Sequence, residues 1–416
     1  MRKNSIKIFT LMLLVIILQA CNLPWQEVLT PEPDTTTPEI PTETTTKAPS
    51  EVSTSTAPST PSTTPTEEPD ISLPVFTDPV IFDLAMFTST DGWALTQDND
   101  RLLRTEDGGQ TWLDATPADL HPLPADVTAL WIEPFFLDQD IAWFSSNTLG
   151  NELYYTEDGG LTWRITPIPF ERARYFFLDV NLGYALVDLG AGAGSHYVAI
   201  YRTEDSGATW MEVFTHEPGV MKSLRESGSK GGITFLDRNH GWIGGTYPMT
   251  DYFYLHFTED GGATWALETD ISLPAEFNGS WLEVRQPIFV SDTVGYLPVR
   301  ALAPDNNSYI LVYRTDNSGQ TWVFQNSVQD GQVLDFYSLD EGWLAASTEL
   351  FQTNDAGINW NPVTIATGPV GEIFLHVDFV DDQHGWAIAT PDDETWEPRK
   401  VYRTTDGGMN WTQLVP

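Results

Sequence analysis

Thr105-Glu106-Asp107-Gly108-Gly109-Gln110-Thr111-Trp112 recurs, with small changes, seven times along this chain. Close copies run from Thr156 to Trp163, Thr203 to Trp210 and Thr258 to Trp265. Looser ones run from Thr315 to Trp322, Thr353 to Trp360 and Thr404 to Trp411. The carboxylate position holds Asp107, Asp158, Asp205, Asp260, Asp355 and Asp406, with Asn317 in the fifth copy; Asn359 and Asn410 stand where earlier copies have Thr. Each copy has the chemistry of a turn. Glycine supplies the positive φ that a tight reversal needs, and the Asp side chain accepts backbone N–H groups inside the loop. The closing Trp112, Trp163, Trp210, Trp265, Trp322, Trp360 and Trp411 offer large faces, expected to pack between one repeat and the next.

A second motif precedes each Asp-box by about half a repeat. It ends at Gly92-Trp93, Ala142-Trp143, Gly183-Tyr184, Gly241-Trp242, Gly295-Tyr296, Gly342-Trp343 and Gly385-Trp386. In six copies a Phe stands seven residues before that aromatic (Phe136, Phe177, Phe235, Phe289, Phe336, Phe379), and Phe87 stands one residue closer. Twelve of the sixteen tryptophans fall in the two motifs, where a stacked architecture needs bulk. Between them lie short β-rich runs, such as Trp93-Ala94-Leu95-Thr96, Arg101 to Thr105 and Thr111 to Ala115. Short strands at even spacing, parted by Asp-Gly and Gly-Gly turns, predict a propeller blade. The expected fold is all-β: a seven-bladed β-propeller of four-stranded blades over residues 74–416, with the Asp-boxes as structural turns.

The N-terminal region has another character. Arg2, Lys3 and Lys7 precede an apolar run from Ile8 to Leu18, which suits a signal segment better than a membrane span. The run ends in Leu18-Gln19-Ala20-Cys21, a string similar to the lipobox of bacterial lipoproteins, and Cys21 is the chain's only cysteine. That resemblance implies a signal peptide over 1–20 and lipidation of Cys21, with two acyl chains for stable anchoring. The rest of 21–73 is a Thr/Pro/Ser-rich linker: from Thr30 to Asp70 it cannot bury enough apolar surface to offset its ordering entropy. Expected localisation is therefore a cell membrane, lipid-anchored, facing the extracytoplasmic side.

The net charge is −39, from 59 acidic and 20 basic residues. That field disfavours nucleic acid as a partner. No His/Cys metal cluster, phosphate loop or nucleophile elbow is present, so neither metal nor cofactor is expected. Asp378, Asp381 and Asp382 could hold Ca²⁺, and turn chemistry accounts for them equally.

The Asp-box occurs in sialidases, sortilin-type receptors and xyloglucanases. A narrower pattern joins a Gly-Trp-Ala strand to a following Arg-Thr-x-Asp-Gly-Gly. Gly92-Trp93-Ala94 with Arg104 to Trp112, and Gly385-Trp386-Ala387 with Arg403 to Trp411, resemble repeats of the photosystem II stability/assembly factor family. The resemblance covers 74–416. It implies a seven-bladed, non-enzymatic propeller on the outer or luminal side of a membrane, assisting assembly or stability of a membrane complex by binding protein. The family's photosynthetic members hold their client with an arginine-rich patch, whereas this chain is acidic. Fold and mode of action follow from the likeness; the client does not. The expected partner is a protein client, a membrane complex among the candidates, or a glycan, bound by a monomer. A carbohydrate-active propeller, either a sialidase- or xyloglucanase-like hydrolase or a glycan-binding protein, is the alternative. Against hydrolysis stand the missing early Arg-Ile-Pro of sialidases and the absence of a second propeller within the sequence.

Loops joining the fourth strand to the next blade, and the second strand to the third, leave one face; Asp-boxes lie on the other. The irregular insertions should build the binding face. They contain Lys222, Arg225 and Lys230 in the longest insertion, with Arg172, Arg174, Tyr247, Trp281 and Trp396 expected nearby. Trp131, Trp281 and Trp396 lie outside both repeated motifs.

Overall fold

In the computed structural model, the described residues are 72–98, 100–120, 132–146, 150–217, 219–391 and 398–415. They belong to one compact unit, Glu67–Pro416, and Cys21, Trp131 and Trp396 lie outside them. The architecture is all-β. Two single-turn 3₁₀ segments, Ala118–Leu120 and Ala275–Phe277, are the helical pieces among the described residues, so none is long enough to cross a membrane.

Antiparallel four-strand runs follow one another along the chain, as in a propeller with four-stranded blades. The second repeat, for example, orders Ile132–Phe136, Ala142–Ser146, Glu152–Thr156 and Arg164–Pro167 from one edge to the other. Six sheets carry the seven sequence repeats. Five hold one repeat each, and a nine-stranded sheet holds the fourth and fifth, joined where Trp281–Val284 pairs with Gly241–Thr246 through Thr246 and Glu283. The first sheet gains a fifth, outer strand, Val75–Phe76, against Trp112–Asp114. The last repeat packs directly on the first. Trp386, Ile388 and Val401 share a core with Ile81, Leu84 and Met86, the Trp386 indole donates to the Gly108 carbonyl at 2.9 Å, and Arg403 donates to the Ser89 carbonyl at 2.8 Å.

The second motif is the seam between repeats. In five repeats the Phe lies opposite the glycine of its own Gly-aromatic pair, as Phe177 does Gly183 and Phe379 does Gly385, while Phe136 lies opposite Ala142. A Cβ on Gly183 would come within 2.3 Å of the Phe177 ring. Glycine thus lets the ring lie flat and stack on the preceding repeat's aromatic. Phe177 stacks on Trp143 at 3.8 Å, Phe235 on Tyr184 at 3.5 Å, Phe336 on Tyr296 at 3.4 Å and Phe379 on Trp343 at 3.8 Å. The first repeat departs from the expectation for Phe87. Met86 is the residue paired with Gly92 and packed in the core with Trp386, so the thioether fills the ring's place.

The Asp-box has one internal geometry. Thr105 Oγ1 accepts the Gly109 N–H at 2.7 Å and donates to Asp107 at 3.0 Å; Asp107 accepts the Thr111 N–H at 2.8 Å and its hydroxyl at 2.7 Å. In the looser copies Asn359 and Asn410 donate amide N–H to Asp355 at 2.7 Å and Asp406 at 2.8 Å, replacing a hydroxyl by an equivalent donor. Asn317 reverses the sense and donates to Thr321 Oγ1 at 3.0 Å. One packing expectation is corrected. The Asp-box tryptophans pack towards the preceding repeat, not the next: Trp163 donates to Ala115 at 2.9 Å, and Trp411 shares a core with Trp343 and Leu350. The fourth strand brings them to the side already facing backward.

Candidate functional site

Turns between first and second strands, and between third and fourth, share an end of each sheet, so the Asp-boxes define one face. On that face cations are occupied. Arg104 reaches Asp140 of the following repeat at 3.0 Å, Arg314 reaches Asp340 at 3.2 Å, and Arg403 spans the seam between last and first repeats.

The opposite end differs. Arg172 just precedes the innermost strand Ala173–Phe177, whose alternation buries Ala173, Tyr175 and Phe177 and exposes Arg174. Together with Glu133, Asp188, His196, Lys230 and Glu283, Arg172 and Arg174 line a cleft of about 450 Å³. Its wall is the long hairpin formed by Gly183–Gly192 and Ser195–Thr203, bulged between Asp188 and Gly190. His196 Nδ1 accepts the Lys230 amide N–H at 3.1 Å, leaving Nε2 to donate towards Asp188 at 3.3 Å. That bond, working against burial and joined by the Gly190 N–H and the charge of Arg172, holds Asp188 down to about 2. Glu133 moves the other way: burial raises it, and the charge of Arg174 only partly offsets this.

Lys230 does not lie in an exposed loop, as expected, but on the strand Ser229–Phe235, with 1% of its surface exposed. Its ammonium donates to the carbonyls of His196 and Glu226, both at 2.8 Å, and Gly228 at 3.3 Å. Burial drives it down to about 7, with Glu226 opposing. Lys230 is therefore a clasp tying the hairpin to the next repeat. Its position, directly before a glycine pair and an apolar strand, was the available signal for burial.

The other expected residues separate by role. Lys222 pairs with Glu217 at 2.6 Å. Arg225 and Arg172 make neither a hydrogen bond nor an ion pair among the described residues. Tyr247 stacks on Tyr252 at 4.5 Å. Trp281 is 41% exposed, opposite the half-exposed Leu302, and with Met221 and Met249 it adds apolar surface to this end. Glu133, Asp188 and His196 were not singled out in the sequence, because acidic residues are too abundant for one to stand out. The Gly190-Ala191-Gly192-Ala193-Gly194 tip, unlike anything in the other repeats, could have marked the hairpin. Among the described residues no cluster of His, Cys, Asp or Glu could hold a metal ion. Asp378 accepts the Met86 N–H at 2.6 Å, and Asp381 caps its turn through the N–H groups of Gln383 and His384.

No family model and no curated protein matches this chain. Solved structures do. A YCF48 bound to a D1 peptide is 17% identical over 80% of this chain and 99% of its own, with a TM-score of 0.48. YCF48 from Cyanidioschyzon merolae is 18% identical over 81% and 97%, also at 0.48. A GH74 enzyme from Niastella koreensis is 11% identical over 82% and 73%, at 0.36. All three likenesses are below 20% identity with TM-scores below 0.5, and a shared fold by itself selects no activity.

Proposed function

We propose that this chain is a binding module rather than a hydrolase: a seven-bladed ring, anchored through Cys21 on the extracytoplasmic side of a membrane, that holds a protein client at the face opposite its Asp-boxes. The observation that carries this reading is that Arg172 and Arg174 stand exposed together in one open cleft at the end opposite the Asp-boxes. In a chain with 59 acidic and 20 basic residues, two exposed guanidiniums side by side are a contact for an acidic partner. Exposed Met221, Met249 and Trp281 around the same end supply the apolar part of a protein interface. Such a module assists assembly or stability of a membrane complex by holding one component.

Crosslinking in intact cells, followed by capture through the propeller, tests the client. Recovery of a specific membrane protein is expected, and recovery of a glycan polymer alone would overturn the reading. Cys21→Ser should release the chain from membrane fractions or leave an unprocessed precursor; unchanged fractionation and migration would remove the anchor.

One observation favours a hydrolytic alternative. Glu133 and Asp188 line a single cleft with their proton affinities pushed apart, as an acid and a carboxylate partner require. Turnover of sialosides or β-glucans that disappears in Glu133→Gln would establish it; the binding reading expects none.

A further inference from the structure

The cleft opposite the Asp-boxes carries both signs of charge and holds them apart. Arg172 and Asp188 are cross-strand neighbours: the Asp188 N–H donates to the Arg172 carbonyl at 2.9 Å, and the charge of Arg172 acts on the Asp188 carboxylate. Arg174 acts in the same way on Glu133 of the preceding repeat. Among the described residues neither couple closes to a direct ion pair. Other groups hold the members instead. Arg174 donates to the Gly231 carbonyl, and Asp188 accepts from His196 Nε2 at 3.3 Å and from the Gly190 N–H at 2.7 Å. The cleft's remaining carboxylate, Glu283, has Arg285 at 3.9 Å and Arg300 at 4.0 Å. Glu133 has neither a hydrogen bond nor an ion pair among the described residues. Arg172 and Arg174 lie two residues apart at the start of an extended strand, so their side chains leave one face roughly 7 Å apart.

We propose that the client offers this cleft an extended segment with an acidic and a basic side chain two residues apart, the carboxylate meeting Arg172 and the cation meeting Glu133. This charge order rests on the protein-client reading above. An extended segment repeats its side chains on one face every two residues, which matches the spacing of Arg172 and Arg174. Two acidic side chains would set one carboxylate against Glu133, and two basic ones would set a cation against Arg172. Like charges so juxtaposed disfavour both segments. A single acidic group would use Arg172 and leave Glu133 unmatched. Burial disfavours the ionised Glu133 carboxylate, and an incoming cation offsets that cost. The guanidinium of Arg174 is tied back to the Gly231 carbonyl, which leaves the Glu133 carboxylate to the client.

Calorimetric titration of the full chain at low salt tests the charge order. The probes are acetyl-Gly-Asp-Ser-Lys-Gly-amide and its Asp-Ser-Asp and Lys-Ser-Lys counterparts. The mixed peptide should bind at millimolar concentration or better, and about tenfold or more tighter than either counterpart, the scale of one charge-assisted hydrogen bond. Glu133→Gln should erase the preference for the mixed peptide over Asp-Ser-Asp, and Arg172→Ala should weaken both. Both side chains are exposed, so each variant should melt close to the parent. No binding of the mixed peptide would overturn the proposal. Equal or tighter binding of Asp-Ser-Asp by the unaltered protein would overturn it too, as would a preference for the mixed peptide that survives Glu133→Gln. Capture of a client in cells together with tighter binding of Asp-Ser-Asp would strike the charge order and leave the client reading standing. The expected peptide order with no client captured would do the reverse.

Discussion

Lys230 shows how much a single side chain's surroundings decide. As a basic residue in an insertion it reads as a surface contact; within the fold, three carbonyls and near-complete burial make it a structural clasp. Lys230→Glu would set a carboxylate against three carbonyl oxygens. It should therefore cost about 3–5 kcal/mol in urea unfolding, the range for an uncompensated buried charge. Lys222→Glu and Arg225→Glu, at the partly or fully exposed end of the same segment, should change stability by no more than about 0.5 kcal/mol. Equal effects at all three would mean that the clasp is not formed. Residue type and spacing could not reveal this difference, because a lysine's burial depends on the hairpin of another repeat folding over it. Arg172 and Arg174, by contrast, were legible: they open an innermost strand, at the end opposite the Asp-box.

At the scale of the element, the unit of stabilisation is the seam between repeats. One face of each seam is a flat ring over glycine, and the other is the Asp-box Trp of the following repeat. Both motifs were visible as sequence periodicity, since each repeat must solve the same packing problem. The direction in which the Trp packs was not, because periodicity is the same whichever neighbour it faces. Met86 was missed for a related reason. The eye follows Phe87, while strand register places the thioether opposite Gly92. Burial varies among the tryptophans: Trp112 is 1% exposed, whereas Trp163 is only partly buried. Trp112→Ala should accordingly cost about 3–5 kcal/mol, the range for truncating a large buried aromatic, and Trp163→Ala clearly less. The reverse order in denaturant unfolding would contradict the seam described here.

For the whole molecule, closure depends on packing and on two buried carboxylates rather than on exchange of a strand. Asp335 accepts the Phe379 N–H at 2.7 Å, and Asp378 accepts the Met86 N–H at 2.6 Å, bridging the sixth to the seventh repeat and the seventh to the first. Burial raises both, and the charge of Asp335 pushes Asp378 up further. A carboxyl group with a raised folded pKa binds its proton more tightly in the native state. Stability from the pair is thus fully present below the ordinary carboxylate range and is lost as pH rises from there through the folded values. The variant Asp335→Asn/Asp378→Asn should gain stability relative to the parent as pH is raised from about 5 to about 8. Parallel pH profiles for the two proteins would exclude the carboxylates from closure. The Asp-box carboxylates follow the opposite sign. Hydrogen bonds to Thr111 and Thr105 outweigh burial and hold Asp107 below its usual range, so their contribution is lost only in stronger acid.

The central claim is that this protein works through the face opposite its Asp-boxes. Two sets of charge reversals, compared in the same capture assay after crosslinking in cells, test it most directly. One set is Arg172→Glu with Arg174→Glu and Arg225→Glu; the other is Glu106→Lys with Glu157→Lys and Glu259→Lys. Their melting curves are recorded alongside, because exposed charges contribute little to stability and both sets should unfold close to the parent. The first set should lose the client and the second should retain it. Loss of the client in the second set with retention in the first would place the working face on the Asp-box side.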